Sequence, residues 1–125
     1  MKQITFWMMF IVLSVAFFSC RYDNEEDLYG DAICDTSNVT YSNNVKPILV
    51  ANCLSCHSTA NAATFGSGIK LEEYSDLMIQ VNNGNLVGAI THASGYPAMP
   101  QGGAKLDDCT IEKIVTWINN GAVNN

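Results

Sequence analysis

Residues 53–57 read Cys-Leu-Ser-Cys-His, and this pentad constrains the chain more than any other feature. Two thiols two residues apart, with an imidazole directly behind the second, fit on one short turn. Four chemistries begin this way: a local disulfide, a zinc site, a redox dithiol and covalent attachment of a c-type haem. Haem attachment asks for the whole pattern. Each thiol adds to a haem vinyl group, and a two-residue gap presents both sulfurs to one porphyrin edge. The imidazole next in line is carried beneath the ring, within reach of iron.

The alternatives lack parts but stay open on this evidence. A structural zinc site needs four ligands, and no second Cys-x-x-Cys or His-x-x-x-His pair follows. A thioredoxin-like dithiol belongs between a strand and a helix, whereas a helical pattern precedes Cys53. A disulfide between Cys53 and Cys56 is the plainest reading of all.

The start of the chain speaks to compartment. "MKQITFWMMFIVLSVAFFSC" opens on Lys2, is apolar from Ile4 to Phe18, and ends Ser19-Cys20. That is the layout of an export leader. About 15 apolar residues are few for a bilayer span, which takes roughly 20. The ending "VAFFSC" resembles a bacterial lipobox, where the leader is cut before a cysteine that then carries lipid. Phe17 departs from the small aliphatic residue usual at its place. The expectation is a leader at 1–19, an acidic flexible tether at 20–38 and a folded domain at 39–125, tethered to a bacterial membrane through lipid on Cys20 and facing periplasm or cell surface.

Without residues 1–19 the chain keeps five basic residues against twelve acidic ones, a formal charge of −7. Nucleic acid is an unsuitable partner for such a surface, since phosphate contacts need positive charge. Basic redox partners would gain from steering. Asp23, Glu25, Glu26 and Asp27 crowd behind Cys20. They read as a solvated tether, and they also resemble the acidic export signal of some surface-exposed lipoproteins. Cysteine arithmetic fits an oxidising compartment. With Cys20 given to lipid and Cys53 with Cys56 to haem, Cys34 and Cys109 remain as an even pair, expected as a disulfide.

The pattern along the rest is helical. Val45, Ile48 and Leu49 share one face, and Pro47, which lacks a backbone donor, puts the helix start near Asn43 or Asn44. "STANAATFGSGI" reads as a loop. Tyr74, Leu77, Met78 and Val81 fall on one face of a second helix, which "NNGN" ends, and "LVGAIT" fits a further short one. "HASGYPAMPQGGAK" holds two prolines and three glycines and reads as a structured loop. Asp107 is the expected N-cap of a last helix, with Ile111, Ile114, Val115 and Ile118 on its apolar face and Gly121 as its stop. No strand alternates cleanly. The faces are narrow for a free-standing core of this size. An apolar group held centrally would help.

Three segments together resemble a small class I cytochrome c domain of the kind found in bacterial lipoproteins and Planctomycete-type haem domains. "VKPILVANCLSCHS" resembles its first helix and haem signature, and "GIKLEEYSDL" the segment that follows. "YPAMPQGGAKLDDCTIEKIVTWINNGA" resembles its methionine loop and last helix. The resemblance covers roughly residues 39–122. It implies an all-α fold of a few helices wrapped round one covalent haem c, with the first and last helices crossing. It also implies thioethers at Cys53 and Cys56, His57 as the proximal ligand, Met99 as the distal one, and single-electron transfer to redox proteins rather than catalysis.

Other residues bear on that distal place. Met78 lies on a helical face, where packing explains it. Met99 sits between Pro97 and Pro100 in a loop, where packing does not. His92 is a second possible ligand, or a solvated loop histidine. If it stood over an open iron, the chain would suit a peroxidase or small-ligand sensor. Trp117 reads either as a haem-edge aromatic or as ordinary core, and Tyr41, Tyr74 and Tyr96 read as packing residues. No nucleophile–base pair, carboxylate pair or phosphate loop is present in the sequence.

Overall fold

The computed structural model describes residues 34–125, one compact unit. The leader, Cys20 and the acidic group behind it lie outside the described residues. The unit takes in residues 34–38, which composition assigned to the tether. There Cys34 meets Cys109 with a Cα–Cα distance of 5.3 Å, within disulfide range, and their sulfurs lie at bonding distance.

All regular structure among the described residues is helical. Thr40 Oγ1 accepts from the Asn43 N–H at 3.2 Å and starts a π-helical turn, Tyr41–Val45, which runs directly into α1, Lys46–Asn52. The start therefore precedes Asn43. The reason is the cap: Thr40 supplies a side-chain acceptor, while the Asn44 side chain accepts in return from the Thr40 N–H at 2.9 Å. Pro47 then falls just after the π turn, where the i→i+4 ladder is already irregular and a missing donor costs little.

After α1 come α2, Leu54–His57, and α3, Ala62–Phe65. α3 is a single turn inside a segment whose composition reads as loop. α4, Tyr74–Asn82, buries Leu77 and sets Tyr74, Met78 and Val81 against the core. Gly84 at φ 77° breaks it before α5, Asn85–Ile90. A long loop leads to α6, Asp108–Asn119. Asp107 caps α6 twice, accepting from the Thr110 N–H at 2.8 Å and its hydroxyl at 2.6 Å. At the far end the Gly121 N–H reaches the Ile118 carbonyl and the Ala122 N–H the Trp117 carbonyl, with Gly121 at φ 94°. That is the Schellman closure of a helix.

The core lies where α6 packs on the N-terminal π turn. Val45, Leu49, Leu77, Ile114 and Trp117 are almost fully buried. Trp117 stacks on Tyr41 with ring centres 5.7 Å apart, and Tyr74 meets Tyr41 edge-on at 5.3 Å. These aromatics also hold the chain after α6. The Trp117 indole donates to the Val123 carbonyl, the Tyr74 hydroxyl to the Ala122 carbonyl, and the Ser42 N–H to the Asn125 carbonyl. Trp117 is thus core, and it does not reach the site described next.

Candidate cofactor site

On the other side of α1 and α5 lies a cavity of about 430 Å³. That is within the usual range for a small-molecule or cofactor pocket, roughly 300–1,000 Å³. Cys53, Cys56, His57 and Met99 all line it. Its remaining lining is largely apolar, with Ile69, Leu71, Leu86, Ile90 and Leu106 among the contributors, and its polar side chains are the amides Asn52, Gln80, Asn85 and Gln101 with Ser55. Among the described residues, no Asp, Glu, Lys or Arg lines it.

One wall is built by α2. The His57 N–H donates to the Cys53 carbonyl at 2.9 Å, closing the turn that carries both cysteines and the imidazole. The chain then folds back so that the Leu71 N–H donates to the His57 carbonyl at 2.9 Å, while His57 Nδ1 stands 2.9 Å from the Ile69 carbonyl. A carbonyl only accepts, so Nδ1 donates, and in the neutral imidazole Nε2 is then the nitrogen with the lone pair. This is how a ligating imidazole is held elsewhere: the second nitrogen is fixed by an acceptor behind it.

Gly66 makes that packing possible. A Cβ there would stand 2.7 Å from the Cys56 carbonyl oxygen and 2.8 Å from His57 Nδ1. Glu72 ties the same wall from outside, accepting from the Thr59 N–H at 2.7 Å, a bond that holds its carboxyl below the usual range.

The facing wall is built by α5 and the loop after it. The Met99 N–H donates to the Ala89 carbonyl at 3.0 Å, and the Ala93 N–H to the Gly88 carbonyl at 2.9 Å. Tyr96 lies flat against Gly88, so close that an added Cβ would stand 2.4 Å from its ring. Met99 is half-buried. His92 is exposed and does not line the cavity; its Nε2 donates to the Met99 carbonyl at 3.0 Å.

The two thiols differ. Cys56 is exposed, and burial pushes the Cys53 thiol up to about 11. A raised, buried thiol is a poor attacking nucleophile, so Cys53 is not suited to open a dithiol exchange. Both are free rather than joined to each other. Among the described residues no three His, Cys, Asp or Glu side chains converge as metal ligands. A four-ligand zinc site therefore finds no protein donors beyond the pentad.

Gly66 and Gly88, which permit the close packing behind the two walls, are not revealed by motif or composition. The chain matches no protein-family model, no curated protein and no solved structure.

Proposed function

We propose that this chain is an exported, lipid-anchored monohaem c-type cytochrome that carries single electrons. The carrying observation is that an imidazole tied by its Nδ1 to a backbone carbonyl and a methionine from a separate loop line one apolar cavity together with both thiols of the pentad. The donor set fits haem c in kind. Cys53 and Cys56 would hold it by thioethers, His57 Nε2 and Met99 Sδ would take the two axial places, and the apolar side chains would cover its faces. Bound there, haem supplies a ferrous–ferric couple, the one-electron chemistry that the protein itself lacks.

The chain's own residues do the rest. The Ile69 carbonyl keeps His57 in the right tautomer and raises its donor strength. A methionine opposite a histidine favours the reduced state. The apolar, uncharged lining limits water and raises the cost of the extra charge on ferric iron, which works in the same direction. Lipid on Cys20 would keep the carrier on its membrane, and its acidic charge would favour basic redox partners.

The test is spectroscopic. Co-expressed with a haem-attachment system, the full chain should give a reduced low-spin c-type spectrum with a weak near-infrared sulfur-to-iron band when oxidised. It should bind carbon monoxide poorly at neutral pH. A haem-loaded protein that binds carbon monoxide readily would instead be an open-site catalyst or sensor, and a protein without a Soret band would not be a cytochrome.

A further inference from the structure

We propose that His92 is a positioning residue for Met99, bracing the ligand loop through the Met99 carbonyl rather than touching the iron. The inference rests on the cytochrome reading. Four observations carry it. His92 Nε2 lies 3.0 Å from the Met99 carbonyl oxygen, which only accepts, so the imidazole donates. His92 takes φ 56°, the left-handed region that residues with a side chain seldom adopt. That conformation follows directly on α5 and lets the imidazole reach the loop's return seven residues later. Among the described residues, the other hydrogen bond that ties Met99 to the fold is its N–H to the Ala89 carbonyl.

The two bonds act on opposite sides of one residue. The Ala89 carbonyl takes the Met99 N–H, and His92 takes its C=O, so both peptide planes flanking the Met99 Cα are fixed. Its side chain is then left with only its own rotamers to explore. A thioether is a weak iron ligand, and restraining it before it binds lowers the ordering cost of binding. An unusual backbone conformation that aims a side chain at a ligand loop is the kind of outlier that points to function.

The experiment uses the haem-loaded full chain and its His92→Gly and His92→Gln variants. Glycine accepts the left-handed backbone freely, so His92→Gly removes the donor without adding strain. Glutamine keeps an N–H donor of similar reach. His92→Gly should weaken the near-infrared sulfur-to-iron band and raise carbon monoxide affinity about fivefold to tenfold, the worth of one such hydrogen bond. His92→Gln should restore most of both.

If His92→Gly matches wild type while Met99→Ala loses the band, the bracing role is wrong and Met99 ligation stands. If the wild-type protein itself has no band, Met99 ligation and the brace fall together. A measurement on the wild type alone guards against a variant that does not accumulate. In the ferrous protein, nitrogen NMR should find His92 protonated at Nε2, and a neutral His92 protonated only at Nδ1 would overturn the proposal.

Discussion

The two walls of the cavity are held very differently. On the His57 wall the ring, the carbonyl and the turn that carries them are each bonded, and Gly66 lets the chain pack directly behind the imidazole. Every one of those partners is backbone. On the Met99 wall the loop is held by the Met99 and Ala93 N–H groups and by two side chains, His92 and the tyrosine laid on Gly88. Both of those side chains are exposed. The difference teaches where the site can yield: in the proposed cytochrome the permanent ligand would be held by backbone, and the weaker one propped partly by side chains that can move.

Substituting each wall in turn should expose that asymmetry. In the proposed cytochrome His57→Ala removes the proximal ligand, so the largest effect is expected there. Both variants should lose the low-spin spectrum, but Met99→Ala should keep a high-spin haem ligated by His57, whereas His57→Ala should lose imidazole ligation; absorption and resonance Raman spectra of the two variants decide this. Gly66→Ala comes next. Its Cβ would meet backbone and ring atoms that cannot swing away, so stability should fall by about 1–3 kcal/mol in denaturant melts.

Gly88→Ala should be milder despite a shorter contact. Tyr96 is 40% exposed and can rotate outward, so the loss should be about 1 kcal/mol at most. The moved tyrosine should instead loosen the Met99 loop, read as increased carbon monoxide binding. Equal destabilisation by the two alanines would break the comparison.

Acid should produce the smallest effect. Thr110 hydrogen bonds hold the Asp107 carboxyl, at the start of α6, below its ordinary value of 3.8. A carboxylate lowered on folding stabilises the fold above its unfolded value, and that contribution is lost as pH falls through the folded one. Melting temperature should therefore be flat down to about pH 5 and decline below about pH 4, given that 3.8 reference. Asp107→Ala should cost about 0.5–1 kcal/mol at neutral pH and flatten part of the decline.

Much of the fold is legible in the residues. α6 shows its cap in Asp107, its buried face in Ile111 and Ile114, and its stop in Gly121, because each signal is local. α4 is readable for the same reason. α3 is not, since one turn is too short to show a period, and its formation depends on the chain folding back behind His57. The helix start at Thr40 rather than near Asn43 turned on a reciprocal cap with Asn44, which competes with the proline signal.

The site divides along similar lines. Cys53, Cys56, His57 and Met99 stand out by residue type and spacing, and the structure brings all four to one cavity. Gly66 and Gly88 do not, because what they permit is a close approach between segments distant in sequence. His92 reads as a solvated histidine or a ligand until its partner, the Met99 carbonyl, is known. Trp117 offered two readings, and its stacking on Tyr41 decides for the core.

The central claim is that Cys53 and Cys56 hold a haem, and the mass of the intact chain under denaturing conditions tests it most directly. After co-expression with a haem-attachment system, the mature protein should carry the mass of one haem that acid and organic solvent do not remove. Peptide mapping should place that haem on the segment containing Cys53 and Cys56, and Cys53→Ser/Cys56→Ser should abolish it. A chain of bare polypeptide mass, with both thiols open to alkylation, would contradict the account.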